Sequence, residues 1–208
     1  MTRIVAGAAG GRRLEVPRGA TRPTSDRVRE ALFSRLEHER DLVGAAVLDL
    51  FAGSGALGPE AASRGAERVL LVDSAAAAAA VCRRNAAALG LPGVDVRAAT
   101  AASVLAAGAA AAGFPDGADV VLVDPPYDLA DDALAALLSA LVEHGWLAPL
   151  AHLVVERSTR SPEPAWPAGV VGLGQKRYGE TALWWAEPSG SPAPGGPSGT
   201  AAPQDARP

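Results

Sequence analysis

A chain of 208 residues is long enough to bury a sizeable core and too short for two full domains joined by linkers. Its 49% hydrophobic content is weighted toward alanine, no apolar stretch reaches transmembrane length, and no signal-peptide core follows Met1-Thr2-Arg3, so a cytoplasmic location is expected. A single cysteine, Cys82, excludes an internal disulfide framework, and His38, His144 and His152 are too scattered to suggest a metal site.

Taken in chain order, residues 3–15 are expected to form a short hairpin turning at 8–11, and 16–24 a Pro/Gly connector. Ser25 can cap a helix running to about Leu36, with Val28, Ala31, Leu32 and Leu36 on one face. Strands are expected at 47–51, 68–73, 94–98, 119–124 and 153–156, with helices at 56–64, 75–89, 101–111 and 131–144. Residues 170–178 and 181–186 read as a closing hairpin turning at Gly179-Glu180. This alternation predicts an α/β, Rossmann-like, doubly wound sheet of seven strands, mostly parallel with the last strand antiparallel. Residues 1–187 are expected to be one domain, with 1–40 an N-terminal extension and 41–187 the core. From 188 to 208 the chain is mostly Pro, Gly, Ser and Ala, which cannot offset its ordering entropy and is expected to be disordered.

The most specific motif is Asp124-Pro125-Pro126-Tyr127, which follows the apolar run Val120-Val121-Leu122-Val123. Two successive prolines cannot continue a ladder, so the chain leaves the sheet there in a stiff extended turn. The turn sets a carboxylate, a proline carbonyl and an aromatic ring at the carboxyl end of a strand, where open α/β sheets bind ligands. Two acceptors and a stacking face suit a planar ring bearing an exocyclic amine. The plainer alternative is an ordinary strand-to-loop turn with a capping Asp.

A second motif follows the run Val47-Leu48-Asp49-Leu50-Phe51, where Ala52-Gly53-Ser54-Gly55-Ala56-Leu57-Gly58 allows a tight turn and close approach to a ligand. Gly53, Gly55 and Gly58 have the dinucleotide-binding spacing, and Asp73, 20 residues after Gly53, lies where a ribose-binding acid belongs. Dehydrogenases and methyltransferases share this logic. Asp49 tilts the choice, because a carboxylate under the loop repels a pyrophosphate but suits the cationic methionine part of S-adenosyl-L-methionine. A turn or helix N-terminus partner is the equal alternative for Asp49.

With these residues the chain resembles the class I, S-adenosylmethionine-dependent amino-methyltransferases. Arg3-Ile4-Val5-Ala6-Gly7, Gly11-Arg12-Arg13-Leu14, the stretch from Arg22-Pro23-Thr24-Ser25 to Ala31-Leu32-Phe33, and Lys176-Arg177-Tyr178-Gly179-Glu180-Thr181 narrow the resemblance. They are similar to the bacterial 16S ribosomal RNA (guanine(966)-N2) methyltransferases. The resemblance spans about residues 1–187 and implies a metal-free, monomeric enzyme acting on 16S rRNA of the small ribosomal subunit. It implies a cofactor site made of Asp49, Phe51, Ala52, Gly53, Ser54, Gly55, Asp73, Ser74, Thr100, Ala101 and Asp124, with Asp124, Pro125, Pro126 and Tyr127 catalytic. Two departures stand out: residue 73 is Asp where Glu is commoner, and Thr100-Ala101 has no acidic or amide side chain for the adenine amino group.

Net charge is −4, yet residues 1–40 hold nine arginines against five acids. A basic arm on an acidic body fits phosphate contacts made from one side. Arg12, Arg13, Arg22, Thr24 and Arg27, with Lys176 and Tyr178, are the expected RNA contacts, the hairpin and the Arg22–Arg29 stretch crossing the carboxyl end of the sheet. Three other functions stay open: a methyltransferase for DNA adenine or protein glutamine, a nicotinamide-dependent oxidoreductase, and a non-enzymatic ribosome-assembly factor. The oxidoreductase leaves Asp-Pro-Pro-Tyr without a role.

Overall fold

Short apolar runs bounded by glycines and polar turns become inner strands of the sheet, as β1 (Ala46–Leu50), β2 (Arg68–Asp73) and β4 (Ala118–Val123), while the less buried β3 (Val94–Ala98) lies at its edge. The computed structural model describes residues 2–16 and 25–190. With β5 (Leu147–Ser158), β6 (Val170–Tyr178) and β7 (Thr181–Pro188) the strands form one sheet in the order β3-β2-β1-β4-β5-β7-β6. β1 to β5 are parallel, and β7 inserts antiparallel between β5 and β6. The expected fold class therefore holds.

Among the described residues the helices α1 (Asp26–Glu39), α2 (Leu57–Ser63), α3 (Ala76–Leu89), α4 (Ala101–Ala106) and α5 (Asp131–Glu143) cover the sheet. Alternate strand residues feed two cores, as a sheet covered on both faces requires. Leu48, Leu50, Val121 and Val123 pack with α4, α5 and Trp146, whereas Val47, Val69, Leu122 and Trp185 pack with α1 and α2. Two lengths differ from expectation. The helix expected over 101–111 stops at Ala106 and resumes only as a 3-10 turn, Ala110–Ala112. β5 is much longer than 153–156, because Leu147 already pairs with Ala118 ahead of a register shift. Most of the expected tail, 191–208, lies outside the described residues.

The N-terminal hairpin is a looser structure than a two-stranded ribbon. One antiparallel bridge, Arg3 to Arg13, joins its arms. Its turn packs away from the carboxyl ends of the strands: Ala8 and Ala9 donate to Ser63 at the end of α2, and Arg12 donates to the carbonyls of Ala88 and Leu89 at the end of α3. Both helices run from the carboxyl ends of strands toward their amino ends. The hairpin does not cross the carboxyl end of the sheet; burying Ile4, Ala9 and Leu14 in the α2–α3 groove directs its turn to the opposite end. α1 runs in the same direction as these two helices. Its last residues lie at the amino end of β4, where Arg40 pairs with Asp119, so its Ser25 cap lies toward the carboxyl end.

One buried carboxylate joins these parts. Glu60 in α2 is 0% exposed and accepts from the backbone N–H groups of Val5 at 2.7 Å and Ala6 at 3.0 Å and from Arg64 at 2.9 Å. The guanidinium of Arg29, also 0% exposed, lies 3.5 Å from it and also bonds Asp26 and the carbonyl of Arg3. Removing one member of a buried pair leaves the other uncompensated. Glu60→Ala is therefore expected to lower unfolding free energy by about 3–5 kcal/mol, read from urea midpoints. A loss below about 1 kcal/mol would show that water or neighbouring groups compensate Arg29.

Candidate active site

The parallel strands order themselves so that β1 and β4 are neighbours whose following connections diverge to opposite faces, opening a crevice at their carboxyl ends. The glycine turn rises from β1 into this crevice. Phe51 takes a left-handed φ of 64°, the one non-glycine residue to do so among the described residues, and lines the crevice wall. Gly53 and Gly55, at φ 57° and 71°, complete the turn, closed by Gly55 N–H donating to the Ala52 carbonyl at 2.7 Å. Gly58 serves packing: a Cβ there would lie 2.1 Å from Leu71. The third glycine thus lets α2 sit directly on the sheet.

Asp73 organises the turn from below. Its carboxylate accepts from Gly53 N–H and from Ala75 N–H, each at 2.8 Å. A carboxylate offers about four lone-pair sites, so acceptor capacity remains for a ligand hydroxyl. Asp73, Ser74, Phe51, Thr100 and Ala101 come together as the wall of a cavity of about 450 Å³, closed by Leu129 and by Ala133, Ala136, Leu137 and Ala140 on the α5 side. Such a slot, apolar with one carboxylate, suits a planar ring carrying a hydroxylated sugar. Thr100 caps α4, its Oγ1 accepting from Ser103 N–H at 3.2 Å. Asp49, Ala52, Gly53, Ser54, Gly55 and Asp124 are not on this wall.

Asp49 is 1% exposed beneath the turn, with Oδ2 accepting from Gly58 N–H at 2.9 Å and Oδ1 buried without a hydrogen-bond partner. One oxygen thus serves the start of α2, as the plainer alternative expects. Burial pushes its carboxyl up to about 8, against the bond from Gly58 and with the fields of Asp124 and Asp73 adding to the rise. Cys82 packs under the same loop and donates to the Gly53 carbonyl at 3.3 Å. Burial first, then Asp49 and Asp73, push its thiol up to about 12, so it is a protonated packing group and no nucleophile.

Asp124-Pro125-Pro126-Tyr127 leaves β4 beside the glycine turn. Asp124 is half-buried, Pro125 buried and Pro126 exposed, and the Tyr127 ring is 64% exposed. The Leu129 N–H closes a turn onto the Pro126 carbonyl at 2.9 Å. Two residues that sequence reasoning passed over hold these loops. Asn85 of α3 donates to the Ser54 carbonyl in the glycine turn and exchanges two bonds with the Glu15 backbone, all at 2.9 Å. Arg157, 7% exposed on β5, donates to the Leu129 carbonyl and to Asp131. An Asn inside an alanine-rich helix, and an Arg ending an apolar strand, were the available signals.

The expected RNA contacts divide. Arg12 is engaged at the end of α3, whereas Arg13 and Arg27 are exposed. Arg22 and Thr24 lie outside the described residues. Lys176 is exposed at the carboxyl end of β6, its Nζ 5.8 Å from the Tyr178 ring, and Tyr178 packs against the core cluster that holds α1. Much of the arm's positive charge is paired internally: Arg3 and Arg29 with Asp26, Arg35 with Glu39, and Arg40 with Asp119. Among the described residues no group of three or more potential ligands suits a metal, and no helix is long and apolar enough to cross a membrane.

The strand order, the glycine turn after β1, the acid ending β2 and the Asp-Pro-Pro-Tyr turn after β4 define a class I methyltransferase fold. The chain belongs to the family described as Conserved hypothetical protein 95, whose model matches residues 2–187. It is 39% identical over 167 residues to "Ribosomal RNA small subunit methyltransferase D" of Escherichia coli (strain K12), covering 80% of this chain and 79% of that protein. It is 34% identical over 183 residues to "Putative rRNA methyltransferase YlbH" of Bacillus subtilis (strain 168), covering 87% and 96%. A solved structure, "Putative methyltransferase yhhF from Escherichia coli", superposes with a TM-score of 0.76 at 34% identity over 90% of this chain and 97% of that one.

The raised carboxyl of Asp49 has a signed consequence. The folded state holds this proton more tightly than the unfolded chain, whose ordinary value is 3.8. Its contribution to stability is therefore full below about pH 4 and is lost as pH rises toward about 8. Asp49→Asn is expected to lose less stability than the parent protein between pH 5 and pH 8, compared by urea midpoints. Equal losses in both proteins would show that Asp49 ionises normally.

Proposed function

We propose that the protein methylates the exocyclic N2 amine of a guanine in 16S ribosomal RNA of the small subunit, using S-adenosyl-L-methionine. The observation that carries this reading is the Asp124–Tyr127 turn at the carboxyl end of β4, beside a cavity holding Asp73 and an exposed aromatic ring. The residues fit the cofactor: an apolar slot for the adenine, Asp73 for the ribose hydroxyls, and the unpartnered Oδ1 of Asp49 for positive charge. Thr100 and Ala101 flank the adenine without supplying an acid, so a backbone group is assigned the adenine amino contact. When bound, the cofactor supplies an electrophilic methyl group on a sulfonium.

The exocyclic nitrogen of guanine is a poor nucleophile because its lone pair is delocalised into the ring. Asp124 Oδ and the Pro125 carbonyl accept its two hydrogens, which favours a pyramidal nitrogen with its lone pair directed away from the protein acceptors. Tyr127 stacks on the base once it is swung out of its RNA context. Asp124 takes the proton late, and a strong base is unnecessary because the methylated amine is acidic. Alignment in a water-poor site supplies most of the rate. The RNA runs along the carboxyl end beside α1, contacting Arg13, Arg27, Lys176 and Tyr178, with Arg22 and Thr24 between Arg13 and Arg27 in the chain. The protein works as a monomer in the cytoplasm, and no metal takes part.

The test is transfer of labelled methyl to small subunits and to free 16S rRNA, followed by mass mapping of the product. N2-methylguanosine at one site is expected; a methylated adenine, or no product on either substrate, overturns the assignment. Asp124→Ala should lower the single-turnover rate more than RNA affinity, since its acceptor matters most as the amine distorts. Tyr127→Ala should instead weaken RNA binding by roughly 1–3 kcal/mol of stacking with cofactor affinity nearly intact. An Asp124→Ala protein with a normal rate would remove that residue from the mechanism.

The phosphate contacts are checked separately. Replacing Arg27 and Lys176 together by Ala should flatten the log–log salt dependence of RNA binding by about 0.7 per lost single-strand contact. An unchanged slope would move the RNA surface away from α1 and β6.

A further inference from the structure

The Asp124–Tyr127 turn leaves β4 and leads toward α5. Its prolines donate no backbone hydrogen bonds, and the Asp124 N–H donates to the Leu50 carbonyl at 3.4 Å. Beyond Tyr127 the chain must still return to α5, and Leu129, midway along that return, is also a wall of the cofactor-sized cavity. Arg157 is a strongly buried cation touching this return. It comes from β5, the neighbour of β4, where Val155 pairs with Val123 and Arg157 stands two residues further on, on the same face. One nitrogen of its guanidinium donates to the Leu129 carbonyl at 3.1 Å and the other to Asp131 Oδ1 at 2.7 Å, at the first residue of α5.

We infer that Arg157 is a positioning residue that sets the Asp124–Tyr127 turn and the Leu129 wall of the cavity as one rigid arch. Its two bonds hold the far end of the arch, while β4 holds the near end. A planar fork fixes distance and direction at once, which a lysine's point charge does not. The burial is asymmetric: the Arg157 side chain is 7% exposed and that of Asp131 60%. The exposed carboxylate adds little attraction of its own. The buried bond to the Leu129 carbonyl is therefore the one that matters, and Asp131 serves to aim the fork. One arch would then govern both sides of the reaction, the base platform at Tyr127 and the slot at Leu129. A small shift at Leu129 is expected to appear in turnover, because misplacement of about 1 Å far from the chemistry costs up to about a hundredfold.

This inference rests on the methyl-transfer reading for its kinetic arm only. The structural arm is hydrogen exchange of the segment 124–131 in the full chain. In Arg157→Ala the Leu129 amide is expected to exchange about tenfold faster, with β1 and β2 unchanged. Unchanged protection of that segment overturns the inference whatever the substrate proves to be. In the kinetic arm, run well below the melting temperature, Arg157→Ala should lower kcat about ten- to a hundredfold. Millimolar guanidinium should restore part of the rate, Arg157→Lys should fall between, and Asp131→Asn should lose less than Arg157→Ala. A loss that follows thermal stability alone, with no guanidinium rescue, makes Arg157 merely structural and overturns the positioning role. A parent protein inactive on every RNA tested counts against the methyl-transfer reading instead, and leaves hydrogen exchange to decide on Arg157.

Discussion

The buried carboxylate of Glu60 is the interaction on which the arrangement of this molecule turns. A Rossmann-like sheet does not need an N-terminal extension, and the segment 2–16 has too few apolar side chains to hold itself in place. Glu60 supplies what the segment lacks, accepting two consecutive backbone N–H groups from Val5 and Ala6. Its charge is met by Arg64 from its own helix and by Arg29 from α1. Two elements that precede the catalytic fold in sequence thus share one anion inside it. Ser63, three residues on, continues the same pattern with the backbone of Ala6 and Ala9. Buried charge of this kind is weak evidence for net stability, since desolvation offsets much of the attraction. Its effect here is to specify where the extension lies.

The cofactor end shows a second economy of charge. Asp49, Asp73 and Asp124 lie at or next to the carboxyl ends of parallel strands of one sheet, so they crowd one end of the molecule. Neutralising them by internal lysines or arginines would fill the crevice with side chains. The protein uses backbone N–H groups instead: Gly58 for Asp49, and Gly53 with Ala75 for Asp73. The remainder is carried as a raised proton affinity on Asp49. Cys82, pressed under the same turn, contributes packing and a weak donor and no reactivity.

Among the described residues much of the basic arm is paired with acids, and the reason is geometric. Arginines at positions 3, 29, 35 and 40 sit where turns of α1 or neighbouring strands bring acids to them, and Arg12 ends on helix carbonyls. A run of charges in sequence is a property of composition; a potential at a surface depends on which charges lack a near neighbour. Among the described residues, Arg13, Arg27 and Lys176 of the expected contacts remain exposed.

The sequence alone determined the sheet, its polarity and which motifs stand at its carboxyl end, because these depend on local information. Apolar runs, glycine spacing and paired prolines act over a few residues, and βαβ handedness does the rest. Even the closing hairpin could be read from its turn. The packing direction of the N-terminal hairpin was invisible, since it is set by Ser63, Ala88 and Leu89 from distant elements. So were the roles of Glu60, Asn85 and Arg157: in sequence each is one polar residue among many. Only the tertiary structure brings each of them to backbone groups far away in the chain. A buried polar side chain must find partners wherever the fold supplies them, and that search is long-range by nature.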